Sequence, residues 1–228
     1  MSPAGNAARP SVTVSYAQTL DGRLATSGGS SQWISCPESL RHAHALRAGH
    51  DAVMVGVGTA RADDPRLTVR HAPGRDPLRV VVDSTLRTPP EAAVLAGGAA
   101  RGTVLATTAR APEERRERLE KLGARILILP EDGEGRVDLA VMFENLGEMG
   151  VKSVMVEGGA RLITSLLRER LVDRVCVCIA PKILGCGIEA VGDLGISSLD
   201  ASLVLPEISV ERCGADILLE SPIEYPNA

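Results

Sequence analysis

The sequence predicts an α/β protein with a mostly parallel central sheet, helices on both faces and an antiparallel hairpin at one edge. Three observations support this. Short apolar, β-branched runs alternate with helical patterns along most of the chain. Several of those runs are rich in β-branched residues, and their alternation with helices suits a parallel sheet covered on both faces. The C-terminal stretch, 201–219, reads as two strands around Arg212–Ala215 with no helix between them.

Taken in order, strands are expected over 12–17, 52–55, 79–83, 103–106, 125–129, 153–157 and 174–180. Helices are expected over 37–48, 112–122, 138–149 and 160–168. The first helix is introduced by Ser35-Cys36-Pro37-Glu38, which has capping-box spacing with Ser35 at N-cap and Glu38 at N3. Pro37 then falls in the first turn, where a missing N–H costs little. Gly123 follows Lys121-Leu122 as a helix stop. Segments 73–77 and 88–100 are rich in Pro, Gly and Ala and read as surface loops. Residues 1–10 read as a flexible tail and 11–228 as a single domain.

Aromatic residues are only 2% of the chain, so Leu, Val, Ile and Ala must build the core. Net charge is −4 without a long basic run, which argues against broad nucleic-acid binding. A local arginine cluster can still hold a small phosphate. No apolar run reaches the roughly 18 residues of a membrane span, and the N-terminus has neither a basic start nor an apolar core. The five cysteines, Cys36, Cys176, Cys178, Cys186 and Cys213, form no CxxC pair. They read as free thiols of a cytoplasmic protein, and no metal site is expected from them. Cys176 and Cys178 alternate onto one strand face.

Four segments carry possible chemistry. Residues 56–65 (GVGTARADDP) follow a strand with a glycine-rich turn that is either an anion cradle or a tight strand-to-helix junction. Glu157-Gly158-Gly159 ends another strand and opens a helix, again a place where backbone N–H groups meet a pyrophosphate. Carboxyl ends of strands are where open α/β sheets bind ligands. Arg47, Arg61, Arg66 and Arg70 scatter around the first turn. Arg47 lies seven residues after Leu40 on one helix face, beside apolar positions, where a cation tends to have a partner. Trp33, the single tryptophan, leads out of a Gly/Ser loop and is either an anchor or a stacking platform. His42 and His44 stand two apart on a helix and cannot share a partner. No nucleophile elbow, P-loop or zinc-deaminase constellation is present.

The stretches SYAQTLDGRLA (15–25), SQWIS (31–35), Leu46-Arg47-Ala48, VGVGTARADDPRLTVR (55–70), VVDS (81–84) and VEGG (156–159) occur in this order. Together they resemble the reductase domain of riboflavin biosynthesis over about 11–220. The resemblance implies a dihydrofolate-reductase-like fold and NADPH-dependent reduction of a phosphoribosylamino-pyrimidine to its ribityl form. It looks like the single-function form, without the deaminase that precedes this domain in bifunctional relatives. It implies NADPH contacts at Ala17, Trp33, Thr59, Asp63, Ser84, Gly159, Ala160, Arg161, Leu162, Ile163, Thr164 and Ser165. It implies substrate contacts at Ser31, Arg47, Leu67, Arg70 and Glu157. Asp63 and Glu157 are the candidate catalytic carboxylates, for orientation or charge stabilisation, and Arg87 is a candidate contact to the 2′-phosphate of NADPH. A homodimer is expected, with 176–180 and the C-terminal hairpin near the contact. Two rival readings stand beside this one: a same-fold reductase of another pterin- or pyrimidine-like substrate, and a non-catalytic nucleotide-binding relic.

Overall fold

The computed structural model describes residues 9–32 and 34–226. Eight of the first ten residues, expected as a flexible tail, and Trp33 lie outside the described residues. The chain groups into two compact units, one of residues 1–11, 50–67 and 78–154, the other of 12–49, 68–77 and 155–228.

The first unit is built on four parallel strands: β3 (Ala52–Gly56), β4 (Leu78–Val82), β5 (Thr103–Thr108) and β6 (Arg125–Leu129). They pair in that sequence order. Ala52 to Val55 and every residue of β5 are buried, the three threonines of β5 included, as strands covered on both faces are. The core is aliphatic, with Val53, Val55, Val81, Leu105 and Leu119 in one cluster. Helices α3 (Glu113–Lys121) and α4 (Leu139–Glu148) fall within the expected spans. Asp138 caps α4 by accepting from the Val141 N–H. Gly123 stops α3 as expected. At φ +98° its N–H reaches the Glu120 carbonyl while Ala124 N–H reaches Leu119, the paired bonds of a Schellman end.

One helix of this unit was not expected. α2 (Val57–Asp63) starts on Gly56, so the glycine-rich segment is a strand-to-helix junction with Gly58 and Thr59 already helical. It ends on Asp64 at φ +40°, whose side chain accepts from the Ala93 N–H.

The second unit holds β1 (Ser11–Thr19) beside β8 (Arg174–Ala180) in parallel. β11 (Asp216–Pro222) adds antiparallel to β8, and β10 (Ser209–Cys213) adds to β11 as the outer strand. This is the expected C-terminal hairpin, turning at Gly214 with φ +62°. Two short strands, β2 (Arg23–Thr26) and β9 (Gly187–Glu189), form a small antiparallel sheet that the sequence did not reveal. Asp21 secures it by accepting from the N–H groups of Leu184 and Gly185 and from the Thr19 hydroxyl. Those bonds hold its carboxyl down at about 2. This gives the TLDGR motif a structural role.

Helix α1 (Pro37–Ala48) has the expected bounds, but its cap differs. The N-cap is Cys36, not Ser35, and no side chain caps the helix. Pro37 takes N1, which puts Glu38 one position too early for a capping box; Glu38 instead pairs with Arg41 at 2.8 Å. The Cys36 N–H is satisfied by Asp216 at 2.7 Å. β7 (Ser153–Glu157) is followed by Gly158 and Gly159, at φ +70° and +88°, and then by α5 (Ala160–Arg168). Those two φ values are the reason for two glycines there.

Candidate active site

In the second unit, α1 delivers Arg47 on its last turn and β7 delivers Glu157 at its carboxyl end. Arg47 is buried, and it donates from Nε and Nη2 to the two oxygens of Glu157, both at 2.7 Å. Its Nη1 donates to the Thr68 carbonyl. The expected partner of this buried cation is therefore a carboxylate of the protein itself, held in a bidentate fork. Guanidinium carries five N–H donors. Three are engaged by Glu157 and Thr68.

One turn earlier His44 is 1% exposed, and its Nδ1 accepts the backbone N–H of Arg70 at 3.0 Å. Its ring meets that of His71 edge-on at 4.7 Å. Burial first, then the positive charge of Arg47 and Arg70, pushes its pKa down to about 4, so it is neutral and can accept. Arg70 is exposed, with Nη1 on the Thr68 hydroxyl at 2.7 Å. The short segment 68–70 is thus fastened to α1 at two points, Thr68 to Arg47 and Arg70 to His44. Substrate candidates Arg47, Arg70 and Glu157 come together around it. Ser31 and Ala17, both half-buried, belong to the same unit, on the loop before α1 and on β1.

The segment 159–165 divides by depth. Gly159 and Ala160 are partly accessible and Arg161 is exposed, at the start of α5 where N–H groups have no intrahelical acceptor. Leu162, Ile163 and Thr164 are buried. Thr164 bonds the Ala160 carbonyl and the Gly192 N–H. Of this stretch the first turn is open to a ligand's approach, and Leu162, Ile163 and Thr164 are packed beneath it.

The first unit carries the remaining candidates. Asp63, at the end of α2, is exposed at its rim, yet partial desolvation raises its carboxyl above the ordinary value. Thr59 is half-buried in α2, and Leu67 is buried with φ +53°. The Ser84 hydroxyl accepts the Val137 N–H at 3.1 Å, a scaffold bond. Beyond Ser84, a cavity of about 380 Å³ is lined by Arg61, Arg87, Arg115 and Arg118 together with Leu86 and Thr88. Arg115 and Arg118 were missed, because α3 is so densely charged that its face reads as solvated. Asp83 below it is fully buried, accepts from Thr88 N–H and hydroxyl, and stands 3.8 Å from Arg87.

Residues 10–219 match the RibD C-terminal domain. The chain belongs to this family. A riboflavin biosynthesis protein RibD of Aquifex aeolicus is 42% identical over 212 residues, 92% of this chain and 57% of that protein. A 2,5-diamino-6-ribosylamino-4(3H)-pyrimidinone 5′-phosphate reductase of Methanothermobacter thermautotrophicus is 44% identical over 222 residues, covering 95% of this chain and 99% of that one. Among solved structures, Acinetobacter baumannii RibD superposes with a TM-score of 0.82 at 26% identity, over 95% of this chain and 58% of that one. The riboflavin biosynthesis reductase Rib7 of Saccharomyces cerevisiae gives 0.72 at 25% identity, over 95% and 90%. The chain thus spans little more than half the length of the RibD relatives and nearly all of the shorter reductases. RibD C-terminal domains have the dihydrofolate-reductase-like fold expected from the motifs. None of the helices of the described residues is long and apolar enough to cross a membrane.

Proposed function

We propose that the protein is an NADPH-dependent reductase of riboflavin biosynthesis, converting the ribosyl group of a 5′-phosphoribosylamino-pyrimidine to ribityl. The single observation that carries the reading is the Arg47–Glu157 fork beside Arg70, at positions the motifs assign to substrate, in a chain 44% identical over its length to a named pyrimidinone phosphate reductase. Residues 11–228 act as one reductase domain in this reading.

The residues present fit a phosphorylated nicotinamide cofactor, which supplies the hydride when bound. The glycine-led first turn of α5 offers backbone N–H groups for a pyrophosphate. The arginine-lined cavity suits the 2′-phosphate that distinguishes NADPH from NADH, since guanidinium binds phosphate through paired N–H donors. Ala17, Thr59 and Ser84 complete the cofactor contacts, with Trp33 as a stacking surface.

Substrate phosphate is held by Arg70, with the two remaining donors of Arg47. Glu157, whose oxygens both face Arg47, acts as a charged positioning group for the substrate and stabilises positive charge developing on an imine-like ribosylamine. Asp63, whose carboxyl partial desolvation raises above its ordinary value, is the second positioning carboxylate. Ser31 and Leu67 line the substrate. The enzyme works in the cytoplasm, consistent with its free cysteines, and as a homodimer. β8 is flanked by β1 and β11, so the outer strand β10, with Val210 61% exposed, is the better contact than 176–180. Absorbance-monitored NADPH oxidation, with the diamino and the deaminated ribosylamino phosphates in parallel, tests this function. Turnover of one of them supports it, and turnover of neither by folded protein overturns it.

A further inference from the structure

On β8, alternation puts Cys176 and Cys178 on one face, and the antiparallel register sets Glu220 of β11 directly opposite Cys176. Helix α1 lies over this face: Leu46 packs against the Cys176–Cys178–Leu218 cluster and Ser39 bonds Asp216. His42 lies between those two positions on the same side of the helix. Its Nε2 is 3.7 Å from the Cys176 sulfur and 3.3 Å from Glu220 Oε1, and the sulfur is 3.4 Å from the same oxygen. Three different donor atoms therefore form a closed triangle.

Hydrogen bonds alone account poorly for such a triangle. The thiol and the imidazole Nε2 bring at most two protons to three mutual contacts. A cation at the centre satisfies all three at once. Zinc bonds of about 2.3 Å to sulfur and about 2.0–2.2 Å to nitrogen and oxygen place tetrahedral ligand atoms about 3.3–3.6 Å apart. Two of the observed edges, 3.3 and 3.4 Å, fall in that range, and the third, 3.7 Å, lies just above it. His42 and Glu220 side chains are about one-third exposed, at 32% and 33%, which leaves an open side for entry and for a fourth ligand from solvent. The charges also balance: neutral imidazole, thiolate and carboxylate carry −2 against a divalent cation, the thiol proton leaving to solvent.

We propose that His42, Cys176 and Glu220 form a binding site for a thiophilic divalent cation of the zinc type, tying α1 to the C-terminal hairpin. The site shares no residue with Arg47, Arg70 and Glu157 and does not depend on the reductase reading. Cobalt(II) titration of the full-length protein under reducing conditions tests it. One equivalent should bind with a thiolate-to-cobalt charge-transfer band and a tetrahedral visible spectrum, zinc should displace it, and zinc should raise the melting temperature. Cys176→Ser should abolish the charge-transfer band, and His42→Gln, on a partly exposed helix position where folding is not at issue, should weaken binding at least tenfold. Magnesium should have no effect. The proposal is overturned by the absence of saturable binding, by a charge-transfer band that survives Cys176→Ser, or by His42→Gln binding with parent affinity.

Discussion

Replacing Arg47 by Ala removes both ends of a fork to Glu157 and the bond to the Thr68 carbonyl. The Arg47 side chain is 9% exposed and that of Glu157 is 20% exposed. Deleting one partner of a buried pair costs about 3–5 kcal/mol, chiefly because the other charge is left unpaired. Glu157 can recover part of its hydration, so the lower end, about 3 kcal/mol, is expected. In a chain of this size that lowers the melting temperature by about 6–12 °C. Glu157→Gln keeps the shape and loses the charge, and should cost about 1.5–3 kcal/mol. Arg47→Lys cannot form the fork and should fall between parent and Arg47→Ala in stability. Because the effects share one interaction, the double variant Arg47→Ala/Glu157→Ala should show a coupling of about 1–3 kcal/mol in urea unfolding. Kinetically, the KM for phosphorylated substrate should rise about tenfold to a hundredfold in Arg47→Ala, while NADPH still binds. An Arg47→Ala protein within about 0.5 kcal/mol of the parent would refute the claim that this pair organises the site.

The remaining predictions are briefer. His44 has a folded pKa of about 4 against an ordinary 6.5, so the unfolded chain takes up its proton first as pH falls. Its stabilising contribution is complete above about 6.5 and is lost as pH drops towards 4; thermal melts of the parent should show this acid limb and His44→Gln should flatten it. Cys176 and Cys178 thiols are pushed up to about 12, mainly by burial, whereas Cys186 is exposed. Iodoacetamide in mildly alkaline buffer, read by peptide mass mapping, should label Cys186 first and leave Cys176 and Cys178 unmodified; early labelling of Cys176 would contradict that burial. Arg87→Ala and Arg115→Ala should weaken NADPH binding about tenfold to a hundredfold each and leave NADH binding nearly unchanged, measured by fluorescence titration. Equal losses for both cofactors would remove the 2′-phosphate from this cavity. A Gly159→Val change cannot isolate the pyrophosphate contact, because a β-branched residue at φ +88° strains the backbone with or without ligand.

Much of the fold was legible because its strands are short apolar, β-branched runs set off by turns and helices, a plain local signal. The parallel strands β3 to β6 and the hairpin of β10 and β11 follow from local patterning. β2 and β9 were not legible: a three-residue strand has too short a pattern, and its pairing depends on Asp21 reaching a loop more than 160 residues away. α2 was hidden by Gly56 and Gly58, which argue for a turn, and its stability comes from Val57 and Ala60 packing into the core. At the site, Arg47 was legible from its place beside an apolar helix face. Its partner was not, since Glu157 lies 110 residues away. Ser35 failed as a cap because Pro37 fixes the helix start one residue later than the capping box requires.

The most direct test of the central claim is the fate of the hydride. NADPH carrying deuterium at the transferred position, incubated with the protein and the ribosylamino-pyrimidine phosphate, should give a ribityl product with one deuterium at C1′, read by mass spectrometry and NMR. Product without deuterium at C1′, or cofactor oxidation with no ribityl product, would contradict the account.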